Sequence, residues 1–172
     1  MLITSKRNTK DSPSGFLNHE GIEYFLFEED FMERNIRCIP MIIRFKMDKV
    51  GIKLKLSEWN RFSTEERVQL ALMPCFYDEE IDEYHYFLGG LVKKYTGRNA
   101  TIMEIDEFPL WGDLHAIPGM LVKKLNEYDW SISIKEWKEL TNLQRFALLK
   151  LCRPRHENKN FPKAMKEFRL VS

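Results

Sequence analysis

A stretch of 34 residues occurs twice in this chain without a gap. Residues 39–72 align with residues 117–150 at a constant offset of 78, and seven of the 34 aligned positions are identical. Ten of the remaining 27 pairs exchange one apolar residue for another, as expected when a structural unit is repeated and its core is kept. The repeat therefore constrains the architecture of the chain, although it indicates no function. The identical pairs are Ile39 and Ile117, Pro40 and Pro118, Lys46 and Lys124, Glu58 and Glu136, Trp59 and Trp137, Arg67 and Arg145, and Leu70 and Leu148.

Each copy begins with a helical pattern and continues into a short extended one. Apolar residues recur at helical spacing after Pro40 and after Pro118, and proline is tolerated in the first turn of a helix. Residues 51–56 and 129–134 then alternate in polarity, and this period of two indicates a strand. We therefore predict a helix followed by a short strand in each copy.

A tryptophan and a helix-start signal follow in both copies. We expect Trp59 and Trp137 to sit on one helical turn and to fill the core. Residues 63–66 (STEE) and 141–144 (TNLQ) fit the capping box, in which a hydroxyl accepts from the third helical N–H and Glu or Gln reaches back. The helices that follow are apolar on most sides, so we expect them to be central in the fold.

The fold class follows from the two units and the segments around them. Residues 78–96 have an apolar face, acidic residues at the start and lysines at the end, which predicts a linking helix, and residues 99–113 read as a loop. We predict a mainly α protein with two pseudo-symmetric helix–short strand–helix units, a small two-stranded β-ribbon between them, the linking helix and a C-terminal helix. Residues 16–172 form one globular helical domain in this prediction, and residues 1–15 are a mobile N-terminus.

Composition excludes several classes of protein. The chain has 172 residues, and its hydrophobic fraction of 44% is typical of a globular protein. Its formal net charge is +1, so the whole molecule has no strong positive electrostatic field that would attract nucleic acid or an anionic membrane. It contains no run of about 20 apolar residues and no secretory signal pattern. Three scattered cysteines, Cys38, Cys75 and Cys152, suit a reducing compartment. We expect a soluble cytoplasmic protein that binds neither membrane nor nucleic acid.

Several short segments form a recognisable pattern when they are taken in order. They are 25–31 (FLFEEDF), 37–41 (RCIPM), 44–46 (RFK), Gly51, 53–54 (KL), Trp59, 62–67 (FSTEER), 144–148 (QRFAL) and 153–161 (RPRHENKNF). Together they resemble the nitrate reductase-associated protein family, over roughly residues 24–168. The resemblance implies a small bacterial protein, often encoded beside nitrate reductase and molybdopterin-synthesis genes, with no established activity and no catalytic residues to carry over.

The strongest candidate binding segment follows the second copy. Residues 153–169 contain six Lys or Arg and two Glu, a local excess of four positive charges, and paired guanidinium groups bind carboxylates and phosphates. The competing interpretation is a tight turn after the central helix, followed by a solvated helix face. The candidate residues for binding a ligand or partner are Arg145, Arg153, Arg155, His156, Asn158 and Lys159.

Other polar residues have simpler explanations. Arg67 and Arg145 occupy equivalent places in the two copies, and this equivalence favours a structural role for both. The cysteines lack the short spacing that makes a zinc site specific, and no catalytic sequence motif is present. We therefore predict no catalytic residue, no metal site and no cofactor.

Two functional hypotheses remain. The first is a non-catalytic accessory or protein-interaction domain, linked to nitrate assimilation or the molybdenum cofactor by the family resemblance, which contacts an unidentified protein through its basic C-terminal segment or through the acidic residues 78–83. The second is a small-molecule or anion-binding protein, or an enzyme, with a pocket between the two halves that Arg145, Arg155 and His156 face.

Overall fold

The computed structural model describes residues 15–32, 36, 38–153 and 159–172, and the expected mobile N-terminus lies almost entirely outside this part of the chain. The predicted mainly helical fold with one small antiparallel ribbon is confirmed. Its helices are α1 (Met41–Val50), α2 (Leu56–Trp59), α3 (Thr64–Leu72), α4 (Asp78–Thr96), α5 (Gly119–Asn126), α6 (Ile134–Glu139), α7 (Asn142–Leu151) and α8 (Phe161–Glu167); its strands are β1 (Ile52–Lys53) and β2 (Thr101–Ile102), and short 3-10 helices occupy Phe16–Asn18, Leu26–Phe31 and Leu110–Gly112.

The first copy starts and stops its helix as its local sequence requires. Pro40 precedes α1, and the buried carboxylate of Glu28 accepts the N–H of Met41 at 2.7 Å, which supplies negative charge at the positive end of the helix. Gly51 ends α1 with a φ of 69°, a left-handed conformation that glycine adopts without strain. The chain then turns directly into β1.

The ribbon pairs β1 with β2, and its register matches Ile52 with Ile102 and Lys53 with Thr101. The second strand therefore comes from residues 99–113, which we had expected to be a loop. The strand expected at residues 129–134 is absent, and that expectation was wrong. Asp129 has a φ of 55°, which turns the chain, and Ser133 already caps α6, so residues 130–132 connect α5 to α6 without pairing to a strand.

Both predicted capping boxes are confirmed. In α3, Ser63 Oγ accepts from the N–H of Glu66 at 3.2 Å, and Glu66 Oε2 accepts from the N–H of Ser63 at 2.8 Å. In α7, Thr141 Oγ1 accepts from the N–H of Gln144 at 3.1 Å, and Gln144 Oε1 accepts from the N–H of Thr141 at 2.8 Å. These bonds set the start of both helices. Helix α7 is mostly buried, as expected, whereas α3 buries only Val68, Leu70 and Ala71 and is less central than expected.

The core is one continuous cluster of buried apolar residues. Trp59 and Trp137 are both buried, as expected for the two anchors, and most of α7 is buried too. Helix α7 contacts α1, α5, α8 and the 3-10 helix Leu110–Gly112, so it is the central element. The pseudo-symmetry of the two units remains a prediction.

Helix α8 closes the fold against the N-terminal 3-10 helix. The carboxylate of Glu167 accepts the N–H groups of Leu26 at 2.8 Å and Phe27 at 3.2 Å. The Phe168 ring packs edge-on against Phe25, with ring centroids 5.0 Å apart. Residues about 140 positions apart in sequence thus complete the same part of the core.

Candidate functional site

An open groove of about 440 Å³ lies where the two copies of the repeat meet. Residues of α1 line it from the first copy, and residues of α5 and α7 line it from the second. Segment 103–111 and helix α4, which lie between the copies in sequence, complete the walls. The volume falls within the range of ligand-binding clefts in proteins. Its apolar lining consists chiefly of Ile81, Met103, Trp111, Met120, Phe146 and Leu149.

Segment 103–111 is fixed at both ends. At its start, the N–H of Met103 donates to the carbonyl of Gly51 at 2.8 Å and extends the ribbon. At its end, the Trp111 ring packs on Phe45 with centroids 5.1 Å apart, and the Trp111 carbonyl accepts from Arg145 Nε at 2.8 Å. The residues between these anchors are held over the groove as its outer wall.

Lys150 lies in the groove as half of an ion pair. Its ammonium donates to Asp48 Oδ2 at 2.7 Å and sits 4.9 Å from the centre of the Phe146 ring. Burial lowers the pKa of Lys150, while the hydrogen bond to Asp48 opposes this shift. The pair links α1 of the first copy to α7 of the second, so it stabilises the packing of these two helices at the base of the groove.

Lys49 is committed in a similar way. Its ammonium donates to the carbonyl of Cys75 at 3.0 Å. It also lies between two aromatic rings, 4.9 Å from the centre of Phe45 and 5.2 Å from that of Phe76. Cation–π contacts of this kind stabilise the charge and fix the side chain. Lys49 therefore supports the exposed Phe76 ring at one edge of the groove.

The outer rim of the groove combines carboxylates with an exposed aromatic ring. Glu104, Asp106 and Glu107 are exposed, and Asp106 Oδ1 accepts from the N–H of Phe108 at 3.0 Å. Phe76 lines the groove and is 75% exposed, whereas Phe108, which is 87% exposed, is not among the residues that line it. Sequence reasoning missed this rim because residues 99–113 read only as a loop. The available signal was a segment that combines acidic and large apolar residues without Lys or Arg.

The predicted basic segment is only partly described by the structure. Arg153 is exposed and lines one end of the groove, and Lys159 is exposed but is not among the residues that line it. Arg155, His156 and Asn158 lie outside the described residues. The assignment of the segment as a binding site therefore stays a prediction.

Arg145 is buried, with 5% of its surface exposed, and its guanidinium is surrounded by acceptors. It donates to the carbonyls of Trp111, Trp137 and Leu140 and to the side-chain oxygen of Asn142. Burial lowers the pKa of this guanidinium. Among the described residues that line the groove, Arg145 does not occur.

Arg67 has a matching but sparser environment in the first copy. Its Nε donates to the carbonyl of Trp59 at 3.2 Å, and its guanidinium lies 5.4 Å from the Trp59 ring. Arg145 stands in the same relation to Trp137, with its guanidinium 5.8 Å from that ring. In each copy the arginine therefore ties the capped helix to the tryptophan turn.

The cysteines do not form a reactive or metal-binding centre in the described part of the chain. Burial raises the pKa of Cys152 to about 12 and also raises that of Cys75, which disfavours the thiolate that would act as nucleophile or ligand. His85 lies against the backbone, with Nδ1 2.7 Å from the carbonyl oxygen of Val50. Within these residues no three His, Cys, Asp or Glu side chains converge into a metal site.

Comparison with known proteins places the chain in a family. A sequence model of the conserved nitrate reductase-associated proteins matches residues 24–168, which is most of the chain. The chain belongs to this family. The match confirms the resemblance seen in the sequence. Neither the curated proteins nor the solved structures yielded a match.

Membership of the nitrate reductase-associated family does not by itself assign chemistry to the groove, because the family name records an association. None of the described helices combines the length and the apolar character needed to cross a membrane. The geometry of the groove and its rim therefore has to carry any functional argument for this family member.

Proposed function

We propose that this protein is a non-catalytic accessory protein of nitrate assimilation that acts by binding another protein, and that the groove is its docking site. The observation that carries the proposal is the exposure of Phe76, 75%, at the edge of an apolar groove that its side chain lines. Large apolar side chains that gather at a concave surface are typical of protein-interaction sites. The family association supplies the biological setting.

The rim is built to present this ring. The Lys49 ammonium lies 5.2 Å from the centre of the Phe76 ring and holds it at the edge of the groove. A partner that covers the ring gains burial of aromatic surface at low cost in conformational entropy. Aromatic anchors that enter pockets dominate the binding energy of many interfaces.

The experiment is recovery of the partner by a tagged full-length chain expressed in its native cell, with cross-linking and mass spectrometry. The informative variant is Phe76→Ser, because Phe76 lines the groove and truncation of a hot-spot aromatic typically costs at least about 2 kcal/mol, or roughly thirtyfold in affinity. Tyr86→Ser is the matched control, since Tyr86 is 85% exposed on α4 and does not line the groove. Equal recovery with both variants would remove the groove from the proposal.

The basic segment is tested in the same assay. The double charge reversal Arg153→Glu with Lys159→Glu changes two exposed positions of the described chain. If the partner is held by this segment, recovery falls with the reversal and is retained with Phe76→Ser. Recovery that the reversal leaves unchanged would sink the assignment of the segment as a docking surface.

A second candidate function is the binding of a small molecule or anion, with or without catalysis. The observation that favours it is the groove itself, whose walls carry Lys49, Lys150 and Arg153 near its apolar floor. Thermal-shift screening of the full chain against oxyanions, nucleotides and pterins tests it. A ligand at one hundred times its dissociation constant adds about 2.7 kcal/mol to the stability. A flat screen counts against this candidate.

A further inference from the structure

Charge is distributed unevenly along a chain whose formal net charge is only +1. Residues 76–92 contain five Asp or Glu, residues 99–122 contain four, and neither segment contains Lys or Arg. Since the segments are separated in sequence by a basic stretch at the end of α4, their spatial relation decides whether the charges act together.

Both acidic segments border the groove. Phe76 and Ile81 line it from the first segment, and residues 103–107 line it from the second. Asp78 is three residues before Ile81 in α4, so it lies on the same face of that helix. The two acidic segments therefore converge on one surface of the folded chain.

The described part of the chain does not neutralise the carboxylates at this surface. Asp78, Glu104, Asp106 and Glu107 are all exposed, and none forms an ion pair with any other residue in the described ranges. Such charges keep their attraction for a partner, and they attract it more strongly at low ionic strength.

The cations of the groove, by contrast, are mostly committed. Lys150 is paired with Asp48 at 2.7 Å, and Lys49 is held by a backbone carbonyl and two rings. Arg153 is exposed at one end. Along the rest of the rim, the charge that the described residues offer to an incoming partner is negative.

We infer that the occupant of the groove is a peptide segment of the partner protein that inserts large apolar side chains and carries Lys or Arg beside them. The inference rests on the proposed docking function and adds the chemistry of the partner. The apolar floor receives the side chains, and the basic residues pair with the carboxylates of the rim. Met103 and Met120 contribute flexible, polarisable side chains, which adapt to apolar groups of different shape.

The inference is tested first by selection from a library of random short peptides displayed on phage, with the immobilised full-length chain as bait. The expected consensus combines an aromatic or large aliphatic residue with two or more Lys or Arg. A consensus of acidic or uncharged peptides, or no enrichment at all, overturns the inference, because the selection is not biased toward any charge.

The selected peptides are then titrated by fluorescence anisotropy against two double variants of equal net charge. Glu104→Gln with Glu107→Gln alters the rim, and Glu20→Gln with Glu139→Gln alters two exposed carboxylates that do not line the groove. We expect about tenfold weaker binding for the rim variant, since each exposed ion pair contributes up to about 1 kcal/mol. Affinity should also fall as salt rises. Equal affinity for the two variants overturns the inference.

Two further outcomes separate this inference from the proposed function. If the native partner is recovered equally well by the rim variant but less well by Phe76→Ser, the docking function stands and the inference fails. If sedimentation shows that the chain self-associates and the rim variant abolishes this, the occupant is a second copy and the inference fails. If no partner is recovered from the native cell at all, the proposed function itself fails.

Discussion

Replacement of Arg145 should destabilise the protein far more than replacement of its repeat equivalent, Arg67. In Arg145→Met, two buried carbonyls, those of Trp137 and Leu140, lose their donor, and the less buried carbonyl of Trp111 loses one as well. In Arg67→Met only the carbonyl of Trp59 is affected, and its bond is longer, at 3.2 Å.

The magnitude follows from the cost of leaving buried acceptors unpaired. Each such group costs about 1–3 kcal/mol, and the guanidinium no longer has to be taken out of water, so we expect a net loss of about 3 kcal/mol for Arg145→Met. For Arg67→Met we expect about 1 kcal/mol. In a chain of this size 1 kcal/mol shifts Tm by about 2–4 °C, so the two variants should melt roughly 6–12 °C and 2–4 °C below the parent.

The assay is urea unfolding followed by tryptophan fluorescence and far-UV circular dichroism, with the m-value as a check that the same surface is exposed in each variant. Arg145→Lys serves as an intermediate variant, because it keeps the charge but cannot make the forked set of bonds. A loss below about 1 kcal/mol for Arg145→Met, or equal losses in the two copies, would refute the structural role argued for this residue.

Three smaller predictions concern the packing around the repeat. Lys46→Met should lower the free energy of unfolding by roughly 2–4 kcal/mol, because the Lys46 ammonium donates to two backbone carbonyls at 2.6 Å at the end of α3. Lys124→Met, at the equivalent position of the second copy, should lower it by less than about 1 kcal/mol. Urea unfolding measures both losses. Gly51→Ala should lower Tm, because φ is 69° and an added Cβ would lie 2.9 Å from the carbonyl of Met103. Burial raises the pKa of Glu66, but hydrogen bonds from neighbouring groups outweigh this effect and hold that pKa below its ordinary value. The ionised Glu66 therefore contributes stability above its ordinary pKa, and this contribution is lost as pH falls through the lowered pKa of the folded state. Glu66→Gln should flatten that acid dependence, as measured by unfolding at a series of pH values.

Local signals located most of the elements because the interactions that set them are local. The capping residues Ser63 and Thr141 start their helices through bonds to residues three positions away, and such bonds can be read from a short stretch of sequence. The partner of β1 could not be read in this way. A strand of two residues has almost no pattern, and its pairing with Thr101–Ile102 depends on where the loop is carried by the whole fold.

The candidate site was harder to predict for the same reason. Its walls come from α1, α4, α5, α7 and segment 103–111, and no single stretch of sequence contains more than a few of its residues. The equivalence of Arg67 and Arg145 did indicate a structural role, and the hydrogen bonds of Arg145 fit that interpretation. The sequence also predicted that Arg145 faces a pocket between the two halves. Among the described residues, Arg145 does not line the groove.

The closure of the core by α8 has a consequence for how the protein is made. Phe25 and Phe27 emerge early in synthesis. The residues that pack on them follow about 140 residues later: the Phe168 ring contacts both rings, and the Glu167 carboxylate binds the neighbouring N–H groups. Contacts so distant in sequence form late, since the intervening chain must first be ordered. The early aromatic segment is therefore exposed on the nascent chain until α8 has been synthesised, and during that time it is a natural substrate for chaperones.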